Sequence, residues 1–374
     1  MNNKNIFIIA GEPSGDQHAA DYINEHLEIN PNISFSAFGQ NEVKKTKANL
    51  IYDTERIAVV GIIEVISKYR EITNALNKAK RFIKDTRPDL IVLVDYIEFN
   101  LKIAKYAKEL NIPVLFYIAP QVWAWREKRA KGFMNTINYL AVIFPFEEKY
   151  FKKYSNNVSY VGHPLNKRKG LIESVKNYED RSIDLGIFPG SRESEIKNNI
   201  FTMLDCVQQN KNEKICIFYA NETSKILLQN LLPKNYHDYL VSGKDIEAVR
   251  DCKKALCASG TITLELAMLR VPMIIVYRLS YISYFIMKSL IKVKYIGLVN
   301  LILGNKMGDE PIVNEYIQPS YSDQVDIMVE LNKIDSDETY RKEMIQNYDK
   351  LKVELSTKSS ENLASIANRL VESI

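Results

Sequence analysis

The chain alternates short apolar runs with longer segments whose apolar residues recur at helical spacing. A strand with one face in water would alternate apolar and polar residues, whereas these runs are apolar almost throughout. The runs stand at residues 4–10, 89–94, 113–118 and 137–143, and the helical segments include 57–84 and 101–110. Because strands that are buried on both faces and joined by helices form parallel sheets, the pattern predicts an α/β fold.

A second series of the same kind begins after a polar connection. Residues 165–183 include the charged stretch NKRKGLIESVKNYEDRS, which is typical of a linker. Further strands are predicted at residues 183–188, 215–219, 239–241 and 273–276. Because 374 residues exceed one ordinary core, we predict two Rossmann-like domains, residues 1–165 and 180–340, facing a central crevice. Ligands of such sheets bind beyond the carboxyl ends of the strands.

Composition excludes several classes of protein. An apolar fraction of 46% and a charged fraction of 26% are those of a soluble globular chain. The net charge of +4 is too small for a nucleic-acid-binding protein, although it allows local basic patches that face phosphate or an anionic membrane. The cysteines form no C-x-x-C pair and predict reduced thiols rather than a zinc site. We expect no signal peptide, and lysines interrupt the apolar region 281–303, which therefore does not span a membrane but could lie on one.

Residues 255–278 are expected to form a strand, a tight turn, a helix and a second strand. The turn is Ser259, Gly260 and Thr261, and Glu265 is expected in the first turn of the helix. Free N–H groups at a helix start attract an anion, and a nearby carboxylate can accept hydrogen bonds from sugar hydroxyls. Phosphate and ribose together suggest a nucleotide. The alternative is that Thr261 caps a packing helix and that Glu265 is a favourable charge at its start.

A similar turn occurs earlier in the same predicted domain. Residues 189–192, PGSR, follow a strand and precede an acidic helix start. We expect backbone N–H groups around Ser191 and the guanidinium of Arg192 to bind a diphosphate. The alternative is a turn with an exposed arginine. Two such turns in one domain favour a nucleotide diphosphate, although neither is a Walker loop or a G-x-G-x-x-G fingerprint.

Polar residues follow two strands of the first domain. The motif GEPSGDQH contains Glu12, Ser14, Asp16 and His18. Ser14 and Gln17 have the spacing of a capping box. Asp95 stands just past another strand, where a carboxylate that faces the crevice can remove a proton from an acceptor hydroxyl. Asp95 could instead cap the next helix, and His18 could be a hydrogen-bonded interface residue.

The stretch APQVWAWREKRAK combines aromatic and basic residues. It contains Trp123, Trp125, Arg126 and Arg129. Such a surface suits a lipid phosphate, a membrane face or a nucleic acid. The alternative is a loop with two core-packed tryptophans beside a solvated basic helix. The apolar stripe through Ile62 and Ile66 is typical of a core face, and only Ile63, off the stripe, indicates an exposed apolar patch.

Seven motifs in order resemble one family, the lipid A disaccharide synthases, which are inverting glycosyltransferases of the two-domain GT-B type. The motifs are GEPSGDQH, APQVWAWREKR, FPFEEKYF, YVGHPL, FPGSRESEI, CASGTITLELAMLRVPMIIVYR and IGLVNLI. The resemblance implies that UDP-2,3-diacylglucosamine and 2,3-diacylglucosamine 1-phosphate (lipid X) condense to a β-1,6-linked disaccharide and UDP. It implies a single in-line displacement without metal, cofactor or covalent intermediate.

The resemblance also implies roles for individual residues. Asp95 would be the general base, with Asp16 and His18 positioning the acceptor hydroxyl. UDP would be held by Ser191, Arg192, Ser259, Gly260, Thr261, Glu265, Tyr277 and Asn300, with Glu265 on the ribose. The acceptor and the membrane would be met by Glu12, Ser14, Ile62, Ile63, Ile66, Trp123, Trp125, Arg126 and Arg129.

One motif departs from the family pattern. The family commonly reads D-x-P-D-F-N, whereas this chain has DYIEFN at residues 95–100. The first carboxylate and the F-N pair are kept. Loss of the proline, which is replaced by Ile97, changes the backbone constraint next to Asp95.

The acylated substrates imply a cytoplasmic protein of a Gram-negative bacterium, peripheral on the inner face of the inner membrane. In this fold class the last helices, about residues 345–374, pack back on the first domain, and the sequence allows an oligomer. Two alternatives are another GT-B enzyme acting on a UDP-amino sugar, an epimerase or muramyl-pathway transferase, and a non-catalytic membrane-surface protein. The first would not need the basic W-A-W loop, and the second would not need Asp95.

Overall fold

The computed structural model describes residues 4–57, 68–120, 129–172, 175–207, 213–279, 294–303 and 310–372. The chain divides into two compact units. The first unit combines Met1–Pro164 with Thr357–Ile374, and the second is Leu165–Ser356. The second unit therefore starts earlier and ends later than the expected 180–340.

The first unit is built on a parallel sheet, ordered β3-β2-β1-β4-β5-β6-β7 within the described residues. Its strands are β1 Lys4–Ala10, β2 Ile33–Gly39, β3 Asn49–Asp53, β4 Leu90–Val94, β5 Val114–Tyr117, β6 Tyr139–Val142 and β7 Val158–Tyr160. Its helices include α1 Pro13–Ile29, α2 Tyr69–Thr86, α3 Ile97–Glu109, α4 Ala130–Met134 and α5 Pro145–Phe151. Every residue of β4 is fully buried, because helices cover both faces of a parallel sheet.

The second unit repeats this architecture, with a parallel sheet ordered β10-β9-β8-β11-β12-β13. Its strands are β8 Ile183–Phe188, β9 Ile215–Tyr219, β10 Leu240–Ser242, β11 Cys252–Cys257, β12 Met273–Tyr277 and β13 Glu315–Ile317. Its helices include α6 Lys169–Ile172, α7 Glu193–Asp205, α8 Glu222–Leu231, α9 Ile246–Arg250, α10 Thr261–Met268, α11 Leu298–Leu303, α12 Tyr321–Ser336 and α13 Glu338–Leu355. Two Rossmann-like parallel sheets confirm the predicted α/β class.

The last helix, α14 Leu363–Glu372, returns to the first unit. His26, a buried residue of α1, connects the two helices. Its Nδ1 accepts a hydrogen bond from the Tyr22 hydroxyl at 2.9 Å, and its Nε2 donates one to the Asn368 Oδ1 of α14 at 3.0 Å. Only this helix, and not α13, belongs to the first unit, so the expected return of residues 345–374 is wrong for the residues up to 356. None of the described helices is both long and apolar enough to cross a membrane.

Strand order places a switch point in each sheet. The chain reverses direction across the sheet between β1 and β4 in the first unit and between β8 and β11 in the second. The loops that leave adjacent strands there diverge to opposite sides, which leaves room for a ligand at the carboxyl ends. These four strand ends carry Gly11, Asp95, the PGSR turn and Ser259.

Three local expectations are corrected. Helix α1 begins at Pro13 with Glu12 as its N-cap, so Ser14 lies inside the first turn and does not form the expected capping box with Gln17. Helix α10 begins at Thr261, so Glu265 opens the second turn instead of lying in the first. Of the helix expected over residues 57–84, Ile57 belongs instead to a 3₁₀ turn over Thr54–Ile57, residues 58–67 lie outside the described residues, and Tyr69–Thr86 forms α2.

Candidate active site

Asp95 follows β4 at the switch point of the first unit. Asp95 and Tyr96 have φ values of 47° and 46°, which is rare for residues other than glycine and costs on the order of 1–3 kcal/mol each. The side chain of Asn100 holds this strained pair by donating to the carbonyls of Val94 at 3.2 Å and Asp95 at 2.7 Å. The backbone N–H of Asp95 also donates a hydrogen bond to the Tyr117 backbone carbonyl at 3.0 Å. The half-buried Asp95 side chain is therefore held at the strand end by its backbone.

Tyr96 explains why the residue after β1 is a glycine. A Cβ on Gly11 would lie 2.2 Å from the Tyr96 ring, so the ring packs where a side chain would otherwise stand. The Tyr96 hydroxyl donates to the Ile57 carbonyl at 2.9 Å. A proline at position 97 would disfavour a helical conformation of residue 96, and Ile97 removes that restriction. The departure from the family pattern thus coincides with the left-handed conformation of Tyr96.

Asp16 has a different role from the one expected. Its side chain is 2% exposed, and its oxygens accept the backbone N–H groups of Gln40 at 2.5 Å, Glu42 at 2.8 Å and Val43 at 3.4 Å. Burial raises the pKa of Asp16, and these N–H groups oppose the shift. Asp16 therefore fixes the turn after β2, a role other than the expected positioning of the acceptor hydroxyl, which stays a prediction. His18 is half-buried, with its ring centroid 6.4 Å from that of Tyr117.

The remaining residues expected on the acceptor side are only partly described. Glu12 is half-buried and Ser14 is exposed. Arg129 forms an ion pair of 3.2 Å with Glu98, the residue next to Ile97 in the departing motif. Ile62, Ile63, Ile66, Trp123, Trp125 and Arg126 lie outside the described residues.

At the switch point of the second unit, the PGSR turn binds a carboxylate of its own chain. Glu195 Oε2 accepts the backbone N–H groups of Ser191 at 3.1 Å and Arg192 at 3.3 Å. Its Oε1 accepts the Arg192 guanidinium at 3.0 Å and the Tyr277 hydroxyl at 3.5 Å. In this conformation Glu195 occupies the backbone N–H groups that were expected to form a diphosphate cradle, and the cradle stays a prediction.

Gly190 makes this arrangement possible. Its φ of +120° is unfavourable for other residues, and a Cβ there would lie 2.6 Å from the Cβ of Glu195. Burial raises the pKa of Tyr277 to about 12, so its hydroxyl keeps its proton and donates a hydrogen bond to Glu195. The Arg192 side chain remains 39% exposed.

The turn before α10 keeps the character expected of an anion site. Within the described residues no side chain caps the start of this helix, and Thr261 is exposed at its first position. A Cβ on Gly260 would meet nothing within 4 Å, so the backbone can be approached closely. The Ser259 hydroxyl donates to the Ile296 carbonyl at 3.1 Å, which ties this turn to the segment before α11.

Asn300 organises that segment from the interior. Its side chain is fully buried and donates to the Val313 carbonyl and to Glu315, both at 2.7 Å. Its Oδ1 accepts the N–H groups of Ile312 and Val313. All its hydrogen-bonding capacity is used within its own unit, and the expected direct contact with the donor stays a prediction. Glu315 in turn accepts the N–H groups of residues 296 and 297.

Glu265 lies one turn into α10, on the same helix face as Thr261. Its Oε1 lies 2.8 Å from Arg168 Nη1, and its side chain is 19% exposed. Burial raises the pKa of Glu265, and the neighbouring guanidinium opposes the shift. A carboxylate at this distance from an uncapped helix start can accept hydrogen bonds from a sugar attached to a phosphate.

Three of these residues were not found from the sequence. Glu195 stands at the third position of α7, where a capping-box carboxylate is common, and that spacing could have indicated it. Arg168 and Glu315 have no comparable local signal, because the residues that they contact are distant from them in the sequence.

Solved structures support the class that this fold defines, the GT-B type with two Rossmann-like parallel-sheet units. UDP-N-acetylglucosamine 2-epimerase from Rickettsia bellii has a TM-score of 0.60 at 13% identity, covering 100% of this chain and 98% of its own. A calicheamicin glycosyltransferase has a TM-score of 0.54 at 12% identity, covering 100% and 98%. At these identities the likeness shows the fold alone.

Sequence comparison identifies the particular family. A model of the lipid-A-disaccharide synthetases matches residues 6–367. The lipid-A-disaccharide synthase of Nitrosococcus oceani is 34% identical over 380 residues, covering 98% of this chain and 96% of that protein. The chain therefore belongs to the lipid-A-disaccharide synthetase family and is a glycosyltransferase. The epimerase, muramyl-pathway and non-catalytic alternatives are not favoured.

Proposed function

We propose that the protein transfers the diacylglucosaminyl group of UDP-2,3-diacylglucosamine to the 6-hydroxyl of lipid X. The products are the β-1,6-linked disaccharide 1-phosphate and UDP. The observation that carries this proposal is the family match over residues 6–367. The residues at the two switch points suit the reaction. Asp95 in the first unit would be the base, and the start of α10 in the second unit would bind the anion.

On the acceptor side, Asp95 is the proposed general base. Asp95 follows the carboxyl end of β4, where its backbone is held by the Asn100 side chain and by a hydrogen bond to the Tyr117 carbonyl. A base must lie within hydrogen-bond reach of the proton that it removes, so this fixed backbone is an advantage. His18 is proposed to orient the same hydroxyl. Asp16 would act only through the turn after β2 that it holds.

On the donor side, the start of α10 is the proposed diphosphate site. The N–H groups that follow Ser259 and Gly260, and the exposed guanidinium of Arg192, would stabilise charge on the departing UDP. Glu265 would accept the ribose hydroxyls one turn further on. Ser191 and Tyr277 border this site through their contacts with Glu195.

The proposed chemistry is a single displacement with inversion. The 6-hydroxyl loses its proton to Asp95, its oxygen forms a bond to the anomeric carbon, and the bond from that carbon to the UDP oxygen breaks. The electron pair of that bond leaves with UDP, where the site stabilises the charge. No residue becomes covalently attached to the sugar.

The acylated substrates require contact with a membrane. We propose that residues Ile62, Ile63, Ile66, Trp123, Trp125 and Arg126, together with Arg129, bring the protein to the inner face of the inner membrane of a Gram-negative bacterium. Flotation with anionic vesicles tests this. Binding that is unchanged after replacement of the tryptophans and basic residues would contradict it.

The reaction is tested with the two diacylated substrates and with matched variants. We expect the wild-type protein to release UDP and disaccharide, and Asp95→Asn to lose at least about 100-fold in kcat while binding UDP normally. Glu98→Gln is the control, since it neutralises an exposed carboxylate of the same motif. Near-normal turnover by Asp95→Asn would exclude Asp95 as the base. Epimerisation of UDP-N-acetylglucosamine without disaccharide formation would exclude the proposed reaction.

A further inference from the structure

Arg168 lies in a segment of the second unit that belongs to neither sheet. It follows the 3₁₀ turn Pro164–Lys167 and precedes α6. Its Nη1 lies 2.8 Å from Oε1 of Glu265, on α10. The arginine side chain is 44% exposed, whereas that of Glu265 is 19% exposed. The ion pair thus joins the start of the second unit to the helix that carries the proposed nucleotide site.

The backbone is anchored on both sides of Arg168. Before it, the Asn166 side chain donates to the Leu355 carbonyl. After it, the Gly170 carbonyl accepts Arg250 Nη2 at 2.6 Å. A Cβ on Gly170 would lie 2.9 Å from Ile246, so α6 packs closely against α9. Because its segment is held at two points, Arg168 presents its guanidinium to Glu265 from a fixed direction.

One oxygen of Glu265 is left for a ligand. Within the described residues Arg168 is the partner of Oε1, and Oε2 accepts no hydrogen bond. Burial raises the pKa of Glu265 and the guanidinium opposes that shift, so the arginine favours the charged carboxylate, which is the better acceptor. The ion pair also fixes Oε1, and with it the direction of the other carboxylate oxygen.

We propose that Arg168 is a positioning residue for ribose recognition, holding the Glu265 carboxylate so that Oε2 accepts a hydroxyl of the donor's ribose. The inference rests on the proposed function, because it assumes that UDP binds at the start of α10. It assigns to Arg168 the preference for ribose over deoxyribose. If Arg168 instead contacted the diphosphate, its loss would weaken the binding of UDP and of its deoxyribose analogues equally.

Calorimetry with UDP, 2′-deoxy-UDP and 3′-deoxy-UDP separates these roles. We expect the wild-type protein to prefer UDP over at least one deoxy analogue by about 10-fold or more, the loss of one hydrogen bond to a charged acceptor. Arg168→Ala should lose that preference, because it weakens UDP binding but leaves the binding of that analogue nearly unchanged. Arg168→Lys should restore part of the preference. Arg270→Ala is the control, since it removes the similarly exposed ion pair with Asp349 just after α10.

The outcomes distinguish this inference from the proposed function. Equal weakening of UDP and both analogues in Arg168→Ala would place Arg168 on the diphosphate and overturn the inference. An unchanged preference in a variant with a wild-type unfolding midpoint would also overturn it, as would a wild-type protein that binds UDP without any preference. A wild-type protein that does not bind UDP would overturn the proposed function and this inference with it.

Discussion

Replacing Glu195 with glutamine removes a carboxylate on which four donors converge. Oε2 accepts the backbone N–H groups of Ser191 and Arg192, and Oε1 accepts the Arg192 guanidinium and the Tyr277 hydroxyl. Glutamine has a single acceptor oxygen, so in either orientation its NH₂ group faces two donors. The less costly orientation turns the NH₂ group toward the side chains, since Tyr277 is 3.5 Å away and Arg192 is partly exposed.

The expected loss follows from these contacts. The two backbone hydrogen bonds keep an acceptor but lose its charge, which weakens each by about 1 kcal/mol. The charge at the third position of α7 also favours the helix start by about 0.3–1 kcal/mol. The Arg192 ion pair adds about 1 kcal/mol or less because of its exposure. We therefore expect Glu195→Gln to lower the free energy of unfolding of the second unit by about 2–4 kcal/mol.

Urea denaturation followed by far-UV circular dichroism measures this loss. Glu195→Gln should move the unfolding transition to lower urea concentration. Glu193→Gln is the matched control, because that carboxylate is 68% exposed and its ion pair with Lys197, the partner found among the described residues, is worth about 0.5 kcal/mol. If both variants unfold alike, Glu195 does not hold the turn.

Gly11→Ala should lower turnover more than about 10-fold with UDP binding intact, since the added methyl overlaps the Tyr96 ring and displaces Asp95; full activity would contradict this packing. Arg192→Ala should weaken UDP binding about 10-fold by calorimetry, and an unchanged affinity would remove it from the site. Burial lowers the pKa of His26, so its stabilising contribution is intact above the unfolded value and is lost as pH falls below about 6.5. Amide exchange of α14, corrected for intrinsic rates, should therefore accelerate below that pH, and His26→Gln should lack the dependence.

Many of the strands, and the polar turns that follow them, could be predicted from the sequence because their signals are local. A run such as that of β4 needs burial on both faces, and the polar residue after it can only stand at the carboxyl end. The start of α10 was found in the same way, from a turn followed by a helix. The capping box of α1 was misplaced because Pro13 is equally suited to the first helical position and begins the helix before Ser14.

Contacts between distant side chains could not be predicted. Arg168 and Glu265 are 97 positions apart, and nothing in either neighbourhood indicates the other. Asn300 illustrates a related case, since a polar residue in a family motif suggests a ligand contact, whereas its side chain here forms hydrogen bonds within the interior of its own unit. The motif identifies the residue, whereas only the fold shows which groups it contacts.

The division of the first unit between the two ends of the chain affects how the protein is made. Residues 165–356 are synthesised before α14, so the second unit has its whole sequence while the first still lacks a helix. Until then the first unit also lacks Ile366 and Ala367, both fully buried in the finished protein. The first unit is thus the first to be translated and the last to be completed, and the contact between His26 and Asn368 can form only after the whole second unit has been made.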